Sequence, residues 1–169
     1  MHQSGKRYGH EAGFSCAFRQ HKAHSHCRFL HGYPLAFDFV FEAHELDNCG
    51  WVVDFGGMKS LKGTLEDTFD HKTIIAEDDP HLDYFKKGHD LGVLDLVVLA
   101  AAGCEKFAEY VFEVADIWLK DAGYKPRVYL ASVTVSEHGG NHATYINPDL
   151  DITTKMRWSD LSGDINEDI

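Results

Sequence analysis

The chain reads as an α+β protein, an antiparallel four-stranded sheet with two helices on one face, in the order ββααββ. Three observations predict it. Leu35, Phe37, Phe39 and Phe41 alternate with Ala36, Asp38, Val40 and Glu42, the period of two of a strand with one buried face. Val128, Leu130 and Ser132 alternate in the same way against Tyr129, Ala131, Val133 and Val135. Between these runs, apolar residues recur twice at helical spacing. Strands joined directly by turns pair antiparallel, and helices grouped between two strand pairs cover one face of the sheet.

The first strand is expected within Tyr8 to Gln20 and the second through Leu35 to Phe41. Glu45 to Gly50 reads as a turn, after which Trp51, Val52 and Val53 restart a short strand. Asp54 can cap a helix that begins near Gly57 and carries Met58, Leu61, Leu65 and Phe69 on one side. Residues 72 to 103 mix charge with Pro and Gly and read as an exposed excursion. A second helix spans Gly103 to Asp121, with Phe107, Val111, Val114, Ala115 and Trp118 on one side; Gly123 and Pro126 end it. Val128 to Ser136 is the third strand, Glu137 to Asn141 a hairpin turn, and His142 to Ile146 the fourth strand. One domain is expected over residues 1–147. Residues 148–169 form an acidic tail, draped on the surface or disordered.

Composition narrows the function. The 169 residues, 44% hydrophobic, can build one real core. A formal charge of −11 argues against nucleic acid or an anionic membrane as the main partner. A small phosphorylated substrate needs only a local basic pocket and stays open. Leu94 to Ala102 is the most apolar run and falls short of the roughly 20 residues of a membrane span. The first residues lack the apolar core of a secretion signal. The irregular spacing of Cys16, Cys27, Cys49 and Cys104 gives neither a disulfide framework nor a zinc ribbon. A cytoplasmic, reducing location is the simplest reading.

Chemistry concentrates between Phe14 and Tyr33, FSCAFRQHKAHSHCRFLHGY, where His21, His24, His26, Cys27 and His31 share one polar segment. Imidazole is the commonest metal ligand and thiolate a strong nucleophile. Asp70-His71 and Glu137-His138 are further reactive pairs at element ends. An Asp beside a His can orient the ring and stabilise its cation, so the pair can move protons near neutrality. Each also has a structural reading: Cys27 as a small apolar residue, Asp70-His71 as a helix terminus, Glu105 as a first-turn acid.

Taken together and in this order, these segments resemble the 6-pyruvoyltetrahydropterin synthase family, and within it the 6-carboxytetrahydropterin synthases of queuosine biosynthesis. An FSAAH-like segment reads Phe14-Ser15-Cys16-Ala17-Phe18, and a C-x-x-x-H-G-H motif reads Cys27 to Tyr33. A G-x-V-x-DF-x-x-x-K segment spans Gly50 to Lys59, followed by Asp70-His71. Ala102 and Gly103 replace Pro and Thr before Glu105, and Glu137 matches a glutamate near the end of the third strand. The resemblance implies the tunnelling fold, in which sheets of neighbouring subunits join into a barrel, and a trimer or a hexamer with sites near subunit interfaces. It implies a carbon-carbon lyase acting on 7,8-dihydroneopterin triphosphate. Cys27 would be the base, Asp70 and His71 the proton relay, and Glu137 the anchor of the pterin edge, with Glu105 a further substrate contact. The product would be 6-carboxytetrahydropterin, with acetaldehyde and triphosphate lost. A triphosphate-eliminating pyruvoyl synthase is the alternative, as is a pterin- or metal-binding paralogue without activity.

The resemblance also implies zinc, held by the histidine of FSAAH and both histidines of HGH. Here only His31 remains, and the other two positions are Phe18 and Tyr33. Catalytic zinc takes three protein ligands and keeps one position open. His24, His26 and His31 would restore that count. A metal-free site in which Tyr33 donates a proton, or a lost activity, are the other outcomes.

Overall fold

Phenylalanine builds the centre of the protein, whose residues 1–150 are described by a computed structural model. Phe14, Phe37, Phe69 and Phe107 are fully buried, and their rings meet edge-on or tilted with centroids 5.0 to 5.5 Å apart. Such contacts contribute about 0.5–1.5 kcal/mol each beyond burial itself.

Among the described residues, seven strands form one sheet. β1 (His2–Tyr8) and β2 (Phe14–Phe18) lie end to end along one edge of the long β3 (His31–Ala43), both antiparallel to it. β6 (Val128–His138) pairs with the other edge of β3, and β7 (Asn141–Ile146) with β6. α1 (Lys59–Phe69) and α3 (Cys104–Asp121) supply the apolar stripes that bury the sheet's inner face. Asp54 caps as expected, its carboxylate accepting from the Gly56 N–H at 2.7 Å, although the turn it opens is a short 3-10 segment leading into α1.

Four expectations need correction. The ββααββ order undercounts the strands. β1 carries mostly exposed residues and so has no apolar alternation to betray it; β3 recruits it through backbone pairing. Residues 72–103 are no excursion. They contain β4 (Thr73–Ala76), α2 (Leu82–Asp90) and β5 (Leu96–Leu99), with β4 parallel to both β2 and β5. The four residues of β4 are all buried, the continuous apolar run typical of a parallel strand rather than an alternating one. Trp51 to Val53 is a bend outside the sheet, with Val52 and Val53 buried and the Trp51 and Val52 carbonyls accepting from Arg127. Finally, β6 changes phase. Register passes from Val40 opposite Ser132 to Phe41 opposite Leu130, leaving Ala131 as a bulge. Val128 and Leu130 therefore face inward before it, Val133 and Val135 after it. The acidic tail falls largely on residues 151–169, outside the described residues.

Candidate functional site

Strand direction alone gathers most of the chemistry at one end of the sheet. Because β2 and β6 both run antiparallel to β3, the C-terminal ends of β2 and β6 meet the N-terminal end of β3. There Cys16 lies opposite Tyr33 and Phe18 opposite His31. β6 delivers Glu137 and His138, and α3 begins with Cys104 and Glu105. The Cys104 Sγ lies 3.6 Å from the Val135 carbonyl, which seats the start of α3 against β6.

Cys27 sits half-buried at this same end. The 3-10 turn His26–Arg28 carries it, with the Ser25 hydroxyl accepting from the Cys27 N–H at 3.4 Å. The Cys27 carbonyl accepts from the Gln20 N–H at 3.0 Å, which ties the turn to the chain leaving β2. His24 and His26 are exposed on this loop.

Asp70 and His71 lie elsewhere. The His71 N–H donates to the Ser15 carbonyl at 2.8 Å, at the start of β2. Five residue steps of near-extended chain run from Ser15 to Gln20, roughly 16 Å. Cys27 and His71 thus occupy opposite ends of β2. The pair itself is well formed: His71 Nδ1 donates to the Asp70 carboxylate at 2.6 Å. His71 has φ of 56°, the left-handed region that non-glycine residues enter at a cost, and its side chain is 87% exposed.

Two buried thiols that the motif reading passed over stand at the centre of the site end. Burial pushes Cys16 up to about 12, with Cys104 nearby adding to it. Burial also pushes Cys104 up to about 12, helped by the carboxylates of Glu137 and Glu105. The same burial works against the thiolate form that a nucleophile needs. The register of β2 against β3 and the helical phase of α3 are what place them, and neither is visible as a motif.

The three positions to which the resemblance assigns zinc do converge, but as an aromatic cluster. Ring centroids are 4.8 Å apart for Phe18–His31, 5.7 Å for His31–Tyr33 and 6.3 Å for Phe18–Tyr33. One imidazole remains among them. No group of three or more His, Cys, Asp or Glu side chains is arranged to hold a metal ion among the described residues. The set His24, His26 and His31 is therefore not assembled: the first two stay in the exposed loop while His31 is drawn into β3. The donor set does not fit the zinc that the resemblance implies.

A cavity of about 330 Å³ opens beside the Cys27 turn, lined by Arg19, Gln20, His21, Lys22, Asp78 and Ala102 among others. Its cations are already compensated. Arg19 Nε lies 2.9 Å from the buried Asp79 carboxylate, outside hydrogen-bonding alignment, and Lys22 donates to Asp78 at 2.5 Å. That hydrogen bond is the main reason the Asp78 carboxyl is held below its usual range.

Comparison with known proteins agrees with this architecture. A profile of the family described as 6-pyruvoyl tetrahydropterin synthase matches residues 9–148. Over 78 residues the chain is 33% identical to a 6-carboxy-5,6,7,8-tetrahydropterin synthase of Rickettsia conorii, and over 57 residues 37% identical to that of Rickettsia typhi. The first match covers 46% of this chain and 54% of the relative, the second 33% and 41%, so the chain spans about half the length of these relatives. Among solved structures, an uncharacterized protein from Wolinella succinogenes superimposes with a TM-score of 0.72 at 21% identity, covering 86% of this chain and 98% of that one. A 6-pyruvoyl tetrahydropterin synthase from Plasmodium vivax gives 0.62 at 17%, covering 87% and 99%.

Proposed function

The chain belongs to the 6-pyruvoyl tetrahydropterin synthase family, and from that membership we propose that it is a lyase acting on 7,8-dihydroneopterin triphosphate to give 6-carboxytetrahydropterin. Its sites lie between subunits. The observation that carries this reading is the split of the candidate residues between the two ends of β2. One end offers Cys27 with Glu137 and Glu105. The other offers an Asp-oriented, strained histidine whose side chain is largely exposed among the described residues. Strain of this kind persists where the surrounding structure holds it for use. A second copy presenting its Asp70-His71 end to the first copy's Cys27 end completes the set, and a trimer or a hexamer provides that contact repeatedly.

In such a site Glu137 accepts two hydrogen bonds from the pterin's amino-pyrimidine edge, a bidentate contact with strong directional selectivity. Cys27 as thiolate removes a proton from the substrate side chain. His71, its Nδ1 committed to Asp70, exchanges protons through Nε2, and Asp70 stabilises the cation that forms. The cavity beside Cys27 has room for a phosphorylated side chain, with Arg19 and Lys22 in its lining and their charge shared with Asp79 and Asp78. The enzyme works in the cytoplasm, and no described helix is long and apolar enough to cross a membrane.

Incubation with 7,8-dihydroneopterin triphosphate and identification of products by mass tests the reading. Carboxytetrahydropterin with acetaldehyde supports it, whereas a pyruvoyl product moves the protein to the triphosphate-eliminating branch. A second reading, a pterin-binding paralogue, is favoured by Phe18 and Tyr33 where donors are expected; retained pterin binding with no product would establish it.

A further inference from the structure

His138 is absent from the expected site, yet it packs on Tyr33 with ring centroids 5.7 Å apart. His31 packs on the same phenol at 5.7 Å. Two imidazoles thus flank Tyr33 where the resemblance implies a metal and its ligands. Their hydrogen bonds fix them in opposite tautomers. The Phe29 carbonyl, which can only accept, lies 2.7 Å from His31 Nδ1, so that nitrogen carries the proton and Nε2 is left as an acceptor. The Gly140 N–H, which can only donate, reaches His138 Nδ1 at 3.1 Å, so the neutral ring carries its proton on Nε2 as a donor.

We infer that His31, Tyr33 and His138 form a metal-independent hydrogen-bonding station for the hydroxylated side chain of the pterin ligand. His31 Nε2 accepts from one hydroxyl and His138 Nε2–H donates to another, with each ring packed on the Tyr33 phenol. A ligand with more than one side-chain hydroxyl matches one fixed acceptor and one fixed donor; a ligand with a plain alkyl side chain leaves both unpaired. Opposite tautomers give this pair a direction that two identical rings would lack. The hairpin supplies it: with β6 ending at His138 and only Gly139 and Gly140 before β7, the turn N–H is close enough to set the ring.

The inference rests on the pterin reading above, and one experiment separates their failures. Fluorescence titration compares neopterin, which carries side-chain hydroxyls, with 6-methylpterin, which carries none, on the full chain treated with chelator and checked for metal by elemental analysis. The station predicts metal-free protein that prefers neopterin about tenfold or more, a factor typical of an unpaired polar contact. It predicts that His138→Phe removes this preference while 6-methylpterin binding stays unchanged. Equal binding of both pterins, a preference that survives His138→Phe, or one that disappears with chelator and returns with zinc overturns the station and leaves the pterin reading intact. Failure of both pterins to bind overturns the pterin reading and the station with it. His138 lies on an exposed hairpin, so the variant's fold is checked by circular dichroism without expected loss.

Discussion

Phe18 and Tyr33 stand where two histidines should create a metal site, and the ring spacing says why. A zinc–nitrogen bond of about 2.0–2.1 Å puts an imidazole centroid about 3 Å from the metal, so two tetrahedral ligands have centroids about 5 Å apart. The present rings at 18, 31 and 33 are 4.8, 5.7 and 6.3 Å apart. The strand register therefore already holds three ring positions at near-ligand spacing, and only the donors are missing. Phe18→His with Tyr33→His should give a chain that binds one zinc. Without metal the double variant should lose stability, because Phe18 is fully buried against Phe107 at 5.1 Å and an imidazole there leaves a polar nitrogen unpaired, at about 1–3 kcal/mol. Zinc at a thousandfold above its dissociation constant should return about 4 kcal/mol. Thermal unfolding with and without zinc, beside elemental analysis of both proteins, reads this out. A folded double variant that takes up no more zinc than the parent refutes the reasoning.

Other outcomes follow from the same geometry. Cys27→Ala should abolish turnover with pterin affinity nearly unchanged, while Glu137→Ala should weaken affinity first; steady-state kinetics with a direct binding titration separates the two. With Cys16 and Cys104 both raised to about 12 by burial, a thiol reagent at pH 8 should label Cys27 and Cys49 quickly and the buried pair only after unfolding. The same shifts set a sign for stability. Above the thiols' ordinary value of 9.0 the unfolded chain releases protons that the folded chain keeps, so stability should fall as pH rises from about 9 towards 12, measured by denaturant melts. A Cβ on Gly32 would meet the Cys16 carbonyl at 2.5 Å, so Gly32→Ala should force β2 away from β3 and cost on the order of 1–3 kcal/mol with loss of pterin binding.

Elements with their own apolar period were legible in the sequence: β3, α1, α3 and the two halves of β6 on either side of the bulge. Those that depend on pairing were not. β1 has a polar sequence and exists because β3 offers an edge; β4 is four residues buried on every side and shows no alternation. The phase change at Ala131 is a property of register with β3, so residue types alone assign Ser132 to the wrong face. The site divides likewise. Cys27, Asp70, His71 and Glu137 stand out in the sequence as candidates because motif spacing marks them. Their separation along β2 was not, since it follows from the parallel pairing of β4 with β2. A histidine-rich loop looked like a ligand set, but ligand number in sequence says nothing of convergence, and β3 removes His31 from His24 and His26. The role of His138 depends on a hairpin N–H and a ring contact across strands, neither of which the sequence displays.

The central claim is that each working site takes Cys27 from one copy and Asp70-His71 from another. Mixing two inactive variants tests it most directly: Cys27→Ala and His71→Ala are unfolded together in equal amounts, refolded and assayed with 7,8-dihydroneopterin triphosphate. Random assembly of a symmetric oligomer gives both intact halves at about a quarter of the interfaces, so the mixture should recover about 25% of native turnover while each variant refolded alone recovers none. A mixture that assembles to native size yet stays as inactive as its components would contradict a site shared between subunits.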